Sequence, residues 1–299
     1  MTTINAPLKY INTPEFIQAP TGYCPGCAFG LSLRYFLKVM GHKMIIHTLP
    51  GCFSSRRLEY GGNSIDMTGS PFGNAASFCS GVASALEAMG DTETVVVPWA
   101  GDGATFDIGF GALSAAAERN ENMLYVCNDN EAYQNTGNQR SSASPWMSTN
   151  ATNPTGAAKL EIKKDMDNIM AAHRIPYLAT VTVGFPEDFM RKVEKAKKMK
   201  GFRFIHILNP CPSGWGFPSE KTIELARLAV ETNVFPLFEV ENGLKYTINH
   251  QPKGLPVSDY IKPQKRFSDM SAEDLARLEK DVEERWRRLR VLAENNPPE

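Results

Sequence analysis

"VVVPWAGDGATFDIG", residues 95–109, runs from an apolar, β-branched segment through Gly101-Asp102-Gly103 into a helical pattern. A continuous apolar run of this kind suits a strand buried on both faces of a parallel sheet. Similar runs recur at 43–49 ("KMIIHTL"), 123–129 ("MLYVCND"), 178–184 ("LATVTVG") and 202–208 ("FRFIHIL"). Between them, small and apolar residues at helical spacing mark 27–40, 73–90, 107–119, 186–199 and 219–232. Strand and helix alternate, which predicts an α/β fold with an open, doubly wound, mostly parallel sheet. From the N-cap candidate Ser271, the residues Leu275, Leu278, Val282, Trp286, Leu289 and Leu292 follow at steps of three and four. They predict an amphipathic C-terminal helix whose role is packing. No repeat or low-complexity linker divides the chain, so one domain over 1–265 with a helical extension over 266–299 is expected.

Bulk composition narrows the function classes. With 42% hydrophobic residues in 299, the chain can bury a sizeable core. Lys plus Arg number 32 against 33 Asp plus Glu, so no field draws nucleic acid or a membrane surface. The first residues lack the pattern of a signal peptide, and no window of about 18 apolar residues occurs. The cytosol is the expected location. Six cysteines in such a chain favour metal, cluster or plain burial over a disulfide framework.

The glycine-acid turn carries the first chemical signal. At the carboxyl end of a parallel strand, a Gly turn lets backbone amides approach phosphate oxygens. Asp102 between Gly101 and Gly103 would repel a phosphate directly, but suits a divalent cation that bridges to a diphosphate. The run at 123–129 also ends in oxygen donors: Asn128, Asp129, Asn130 and backbone carbonyls such as that of Ala132. Residues 104–129 separate Gly103 from Asn130, about one helix plus one strand, which would put Asp102 and Asn130 at neighbouring strand ends. No G-x-G-x-x-G follows a strand candidate, which disfavours a dinucleotide site. From Tyr133 to about Leu160 the chain is polar and aperiodic, a length of loop that is usually functional or disordered.

The cysteines carry the second signal. Cys24 and Cys27 in "GYCPGCAFG", Cys52 in "LPGCFSS" and Cys211 in "NPCPSGW" each lie in a Gly/Pro loop. Four thiolates fit either structural zinc or a 4Fe-4S cluster; a redox dithiol would explain the first pair alone. Cys79 and Cys127 fall in apolar patterns and read as buried thiols. His47 and His206 lie in strand patterns and read as satisfied core residues.

Gly-Asp-Gly followed some two dozen residues later by Asn resembles the thiamine diphosphate signature. Taken with "CPGC", Gly51-Cys52, "NPCPSGWGF" and "FPLFEVENG", the chain resembles, to about residue 265, the thiamine-binding β subunit of 2-oxoacid:ferredoxin oxidoreductases, most closely the pyruvate synthase type. The resemblance implies Mg²⁺ on Asp102, Asn130 and the Ala132 carbonyl, and a 4Fe-4S cluster on Cys24, Cys27, Cys52 and Cys211. It also implies Asn135 beside the thiazolium, where its amide could reach the substrate, and the polar 133–160 segment around the cofactor mouth. The implied activity is CoA-dependent oxidative decarboxylation of a 2-oxoacid, pyruvate by default, with single electrons passed through the cluster to ferredoxin. Oxalate, aryl and branched-chain 2-oxoacids are the alternatives within the family. The implied partners are the α, γ and ferredoxin-like δ subunits or fused equivalents, one of which brings the activating Glu; neither Glu131 nor Glu59 has a context for that role. A cluster-free thiamine enzyme and a non-catalytic electron-transfer or scaffold subunit are the rival readings. Two departures stand out: Ala28 follows Cys27 where the family has glycine, and Arg56 and Arg57 follow Cys52, either to read a carboxylate or as a solvated pair.

Overall fold

The computed structural model describes residues 15–17, 22–53, 59–60 and 63–296. In chain order its strands are β1 (Met44–Thr48), β2 (Glu59–Tyr60), β3 (Asn63–Ser64), β4 (Asp66–Gly69), β5 (Val95–Gly101), β6 (Met123–Asp129), β7 (Tyr177–Thr182), β8 (Phe202–Leu208), β9 (Phe238–Glu241) and β10 (Lys245–Ile248). The helices are α1 (Ala28–Met40), α2 (Ala75–Ala88), α3 (Phe110–Glu118), α4 (Met166–Ala172), α5 (Pro186–Lys198), α6 (Pro212–Trp215), α7 (Thr222–Glu231), α8 (Val257–Ile261) and α9 (Ala272–Glu294). One eight-stranded sheet has the order β10-β9-β7-β8-β6-β5-β1-β4. From β4 to β7 every pairing is parallel, while β9 and β10 add an antiparallel edge.

The apolar runs become strands buried on both faces because helices cover both. Along β5, Val95, Val97 and Trp99 pack with Leu33, Phe36 and Leu37 of α1 and Phe189 and Val193 of α5. The alternate residues Val96 and Ala100 face the opposite layer, with Cys79 of α2, Leu113 of α3 and Met170 of α4. This period-two division is what a pleated strand imposes, and each fully buried large side chain contributes about 1.5–3 kcal/mol. Local chemistry agrees with the layers. Pro186 opens α5, with Glu187 and Asp188 in its first turn and three lysines in its last, in the sense that the helix dipole favours. The expected C-terminal helix begins at Ala272, behind a capping box of Ser271 and Asp274. Trp286 and Leu289 seat α9 on the sheet, and the Asn296 amide bonds both backbone groups of Tyr246 on edge strand β10 (2.7 and 2.9 Å). That covers an edge that would otherwise offer unpaired backbone. No helix among the described residues is long and apolar enough to cross a membrane.

Six strands share one direction, so their carboxyl ends lie along one edge of the sheet. Four consecutive ones, β1, β5, β6 and β8, end respectively before Cys52, at the Gly-Asp-Gly turn, before Asn130 and before Cys211. The pairings Thr48↔Trp99, Gly101↔Asn128 and Asp129↔Leu208 keep those ends level.

Both strand histidines are satisfied in the core. His47 bonds the hydroxyls of Thr68 and Ser70 at 2.9 Å, and burial holds it down at about 4. His206 sits between Asp167 (2.8 Å) and Asp129 (2.9 Å). Burial alone would lower it, but the two carboxylates overcome that and hold it up at about 9. A histidine raised on folding contributes stability that is complete below its unfolded value near 6.5 and is lost as pH rises through 9. The stability advantage of wild type over His206→Gln is therefore expected to shrink by on the order of 3 kcal/mol between pH 6.5 and pH 9.5. Lys159 and Lys192, lowered by burial to about 8, titrate alike in both proteins and cancel. Denaturant unfolding across this range checks it, and a constant difference would contradict the pairing.

Candidate active site

At the end of β5, the Gly101 carbonyl accepts from Thr105 Oγ1 (2.8 Å), and the chain turns into a wide π-type helix over Gly103–Ile108. Gly103 is glycine for a steric reason: a Cβ there would collide with the ring of Tyr133, whose hydroxyl donates to the Gly103 carbonyl at 3.1 Å. Asp102 is 2% exposed. One carboxylate oxygen accepts from Ser141 Oγ at 2.5 Å. Burial and the nearby Asp129 carboxylate push Asp102 well above the ordinary carboxylate range, despite the Ser141 bond and the Lys163 charge. A buried carboxylate in this state gains most from a cation.

The oxygen donors around it meet that need. As placed, the Asn130 side-chain oxygen faces Asp102 Oδ1 at 3.1 Å and the Ala132 carbonyl at 2.8 Å; turned over, its NH₂ would donate to both. Adjacent ligands of an octahedral Mg²⁺ at 2.0–2.1 Å stand about 2.9 Å apart, so the donor set fits a magnesium ion. The turn that assembles it is strained. Glu131 adopts φ +64°, a left-handed conformation that disfavours side chains. Its amide donates to Asp129 Oδ1 (2.8 Å) and its carbonyl accepts from Ser144 Oγ (2.7 Å). Its carboxylate lies between Lys163 Nζ (2.8 Å) and Arg266 Nη2 (2.6 Å). Lys163 also pairs with Asp129 at 2.6 Å. Asp129 is thereby held at about 2 although burial opposes its charge.

All six cysteines are free. Cys79 and Cys127 are buried in the core, as their patterns predict. Cys24-Pro25-Gly26-Cys27 forms a tight turn closed by Cys27 N–H to the Cys24 carbonyl at 3.0 Å, with Gly26 at φ +69°. Pro then Gly at the two central positions is what a type II turn requires. The turn docks on the segment after Cys211: the Gly26 carbonyl accepts from Thr222 Oγ1 at 2.5 Å, and a Gly26 Cβ would collide with the Ser219 backbone. Ala28 is the first residue of α1, and its methyl packs with Val183 and Ala226. Glycine is not needed there.

The four loop thiols share one neighbourhood. Burial pushes the Cys27 thiol up to about 11 against a bond from Phe29 N–H, and Cys211, Cys52 and Cys24 each add to the rise. Among the described residues no three His, Cys, Asp or Glu side chains stand close enough to hold an ion as they are. A bound metal deprotonates its thiol ligands outright and draws them onto itself.

A cavity of about 410 Å³ is lined by Gly101, Asp102, Gly103, Asn130 and Ala132, by Asn135, and by Cys52 of the four loop cysteines. Phe29, Phe53 and Trp99, with ring centroids 5.5–5.8 Å apart, form its apolar wall. The polar segment after Tyr133 is ordered by its own hydroxyls and amides, and Gln134, Asn135 and Thr136 line the cavity. Asp102 is the one carboxylate among the described lining residues, and none of them is His, Lys or Arg. Arg56 and Arg57 lie outside the described residues, as does the side chain of Glu59. Sequence reasoning missed Ser141, Lys163 and Arg266, because nothing in the local pattern of a Ser, Lys or Arg reveals a partner far along the chain.

Residues 50–207 match the family model of the thiamine pyrophosphate enzyme C-terminal TPP-binding domain. The chain is 45% identical over 279 residues to pyruvate synthase subunit PorB of Methanocaldococcus jannaschii, covering 89% of this chain and 93% of that one. It is 44% identical over 296 residues to ketoisovalerate oxidoreductase subunit VorB of Pyrococcus furiosus, covering 94% of each. Among solved structures it resembles the 2-oxoglutarate:ferredoxin oxidoreductase of Magnetococcus marinus, with a TM-score of 0.57 and 24% identity over 75% of this chain and 84% of that one. Cys52, Asp102, Asn130, Ala132 and Asn135 fall inside the family-model match; Cys24, Cys27 and Cys211 fall outside it.

Docking of the cysteine turn can be tested through its glycine. Gly26→Ala meets both a left-handed φ and the Ser219 backbone, whereas Gly90→Ala, at the C-terminus of α2, meets φ +76° with nothing within 4 Å. The first is expected to cost about 3 kcal/mol and the second about 1 kcal/mol, read as a larger drop in thermal midpoint for Gly26→Ala. Equal losses would contradict the contact.

Proposed function

Because the chain belongs to the thiamine diphosphate-binding β subunits of 2-oxoacid:ferredoxin oxidoreductases, we propose that this cavity serves both cofactors of an oxidative decarboxylation. In this reading Gly101 and Gly103 let backbone amides approach the diphosphate of thiamine diphosphate, and Asp102, Asn130 and the Ala132 carbonyl hold its Mg²⁺. Cys24, Cys27, Cys52 and Cys211 hold a 4Fe-4S cluster. When bound, the thiamine supplies an electron sink for loss of CO₂ from the 2-oxoacid, and the cluster an acceptor of single electrons. The observation that carries this reading is the convergence of the oxygen donors and Cys52 on a single cavity. Electron transfer between two groups needs them side by side, and a structural zinc has no need of that place.

The protein's own part is positional. Ser141 fixes the rotation of the Asp102 carboxylate. The wall of Phe29, Phe53 and Trp99 keeps water from the reacting centre. Asn135 in the cavity lining offers an amide N–H to a 2-oxoacid carboxylate or carbonyl. With Asp102 committed to the cation, no further carboxylate and no His, Lys or Arg stands among the described lining residues to activate the cofactor, which supports a site completed by another subunit. We propose coenzyme A as acyl acceptor and ferredoxin as final electron acceptor, with pyruvate as the 2-oxoacid. Branched-chain 2-oxoacids are the second reading, which the VorB relative supports at nearly equal identity. The domain reading of 1–265 with an extension over 266–299 is kept as part of the proposal.

Two substitutions in the assembled, anaerobically purified complex test the division. Asp102→Ala is expected to lower Mg²⁺-dependent thiamine diphosphate affinity at least 100-fold while leaving iron content unchanged. Cys52→Ser is expected to lose iron and the EPR signal of the reduced cluster. Full cofactor affinity in the first, or wild-type protein without iron, would contradict the assignment.

A further inference from the structure

We infer that Arg266 is a positioning residue: with Lys163 it clamps the Glu131 side chain so that the left-handed backbone there presents the Asn130 amide and the Ala132 carbonyl to Asp102. This rests on the magnesium reading of those oxygens. Glu131 lies between the two donors, and its φ of +64° is what folds them onto one side. Left to itself, a side-chain-bearing residue would leave this conformation. Three contacts oppose that on the backbone: Trp215 Nε1 bonds the Asn130 carbonyl (2.8 Å), Asp129 takes the Glu131 N–H, and Ser144 bonds the Glu131 carbonyl. The side chain is fixed by Arg266 and Lys163.

Arg266 is itself fixed by a ring stack, its Nε and its backbone carbonyl. Its guanidinium lies 3.8 Å over the Trp215 ring, its Nε donates to Gln264 Oε1 (2.9 Å), and its carbonyl accepts from Thr149 N–H (2.7 Å). Trp215 is one short helix beyond Cys211. The same arginine therefore braces the magnesium turn and the segment that carries a cluster cysteine. A buried ion pair is poor value as a stabiliser, since its desolvation cost can exceed its attraction; conformational definition of the turn gives this one a use. Lysine could not stack flat on Trp215.

The test is calorimetric titration of cofactor-stripped complex with Mg²⁺ and thiamine diphosphate, which reads affinity without turnover. Glu131→Ala, unclamped yet still averse to a left-handed φ, is expected to bind about tenfold more weakly. Glu131→Gly, which takes that φ freely, is expected to stay within about threefold of wild type. Arg266→Met should match Glu131→Ala, and Glu131→Gly in the Arg266→Met background should restore binding. Equal affinities for Glu131→Ala and Glu131→Gly, or wild-type affinity in Arg266→Met, would overturn the clamp. A merely structural arginine would lower thermal stability and give no glycine rescue. If Arg266→Met does not assemble, the Glu131 pair alone decides. Asp102→Ala in the same assay separates the two claims: wild-type affinity there would sink the magnesium reading rather than the clamp.

Discussion

Everything in the site depends on four neighbouring strands that run the same way and end level. Parallel strands can be set side by side only when both faces are covered, and the continuous apolar runs of β5, β6 and β8 are what double coverage demands. Once the order β8-β6-β5-β1 is fixed, the loops that follow are brought together whatever their separation in sequence. Cys211 and Cys52 are thereby carried to the two sides of the Asp102–Asn130 pair. The chemistry is then a matter of what each loop offers.

What the loops offer has to be held against its own electrostatics. Asp102, Asp129 and Glu131 are three buried carboxylates within a few residues of each other in space, opposed by Lys163, Arg266 and His206. The cations divide unequally. Lys163 is hydrogen-bonded to both Asp129 and Glu131, whereas Asp102 has a serine hydroxyl and two oxygen neighbours. An unpaired buried carboxylate is costly, and this one lines the cavity beside two further oxygen donors.

The sheet, the Gly-Asp-Gly turn and the oxygen donors after β6 were legible because each is written in contiguous residues: period, composition and turn chemistry are local properties. Cys24, Cys27, Cys52 and Cys211 were grouped by their Gly/Pro loops, and the structure gives Cys27 the other three thiols as neighbours; Asn135, taken from its match to a family position, lines the cavity. The antiparallel edge was not anticipated, although Asn242 and Gly243, both left-handed between β9 and β10, are a hairpin signal available in the sequence. Ser141, Lys163 and Arg266 were not legible at all. Arg266 follows the partner it holds, Glu131, by more than a hundred residues, and its pairing exists only after the sheet has formed. The polar segment from Tyr133 reads as loop and is loop, but its order comes from hydroxyl-to-backbone bonds such as Ser144 to Glu131, which composition does not specify.

The central claim is that one cavity edge carries a magnesium-held diphosphate and an iron–sulfur cluster side by side. A crystal structure of the anaerobically purified, thiamine-loaded complex, with anomalous data at the iron edge, tests it most directly. The account requires an iron peak enclosed by the sulfurs of Cys24, Cys27, Cys52 and Cys211, and magnesium on Asp102, Asn130 and the Ala132 carbonyl in the same subunit. Iron absent from that neighbourhood in fully active complex, or a diphosphate bound away from Asp102, would contradict it.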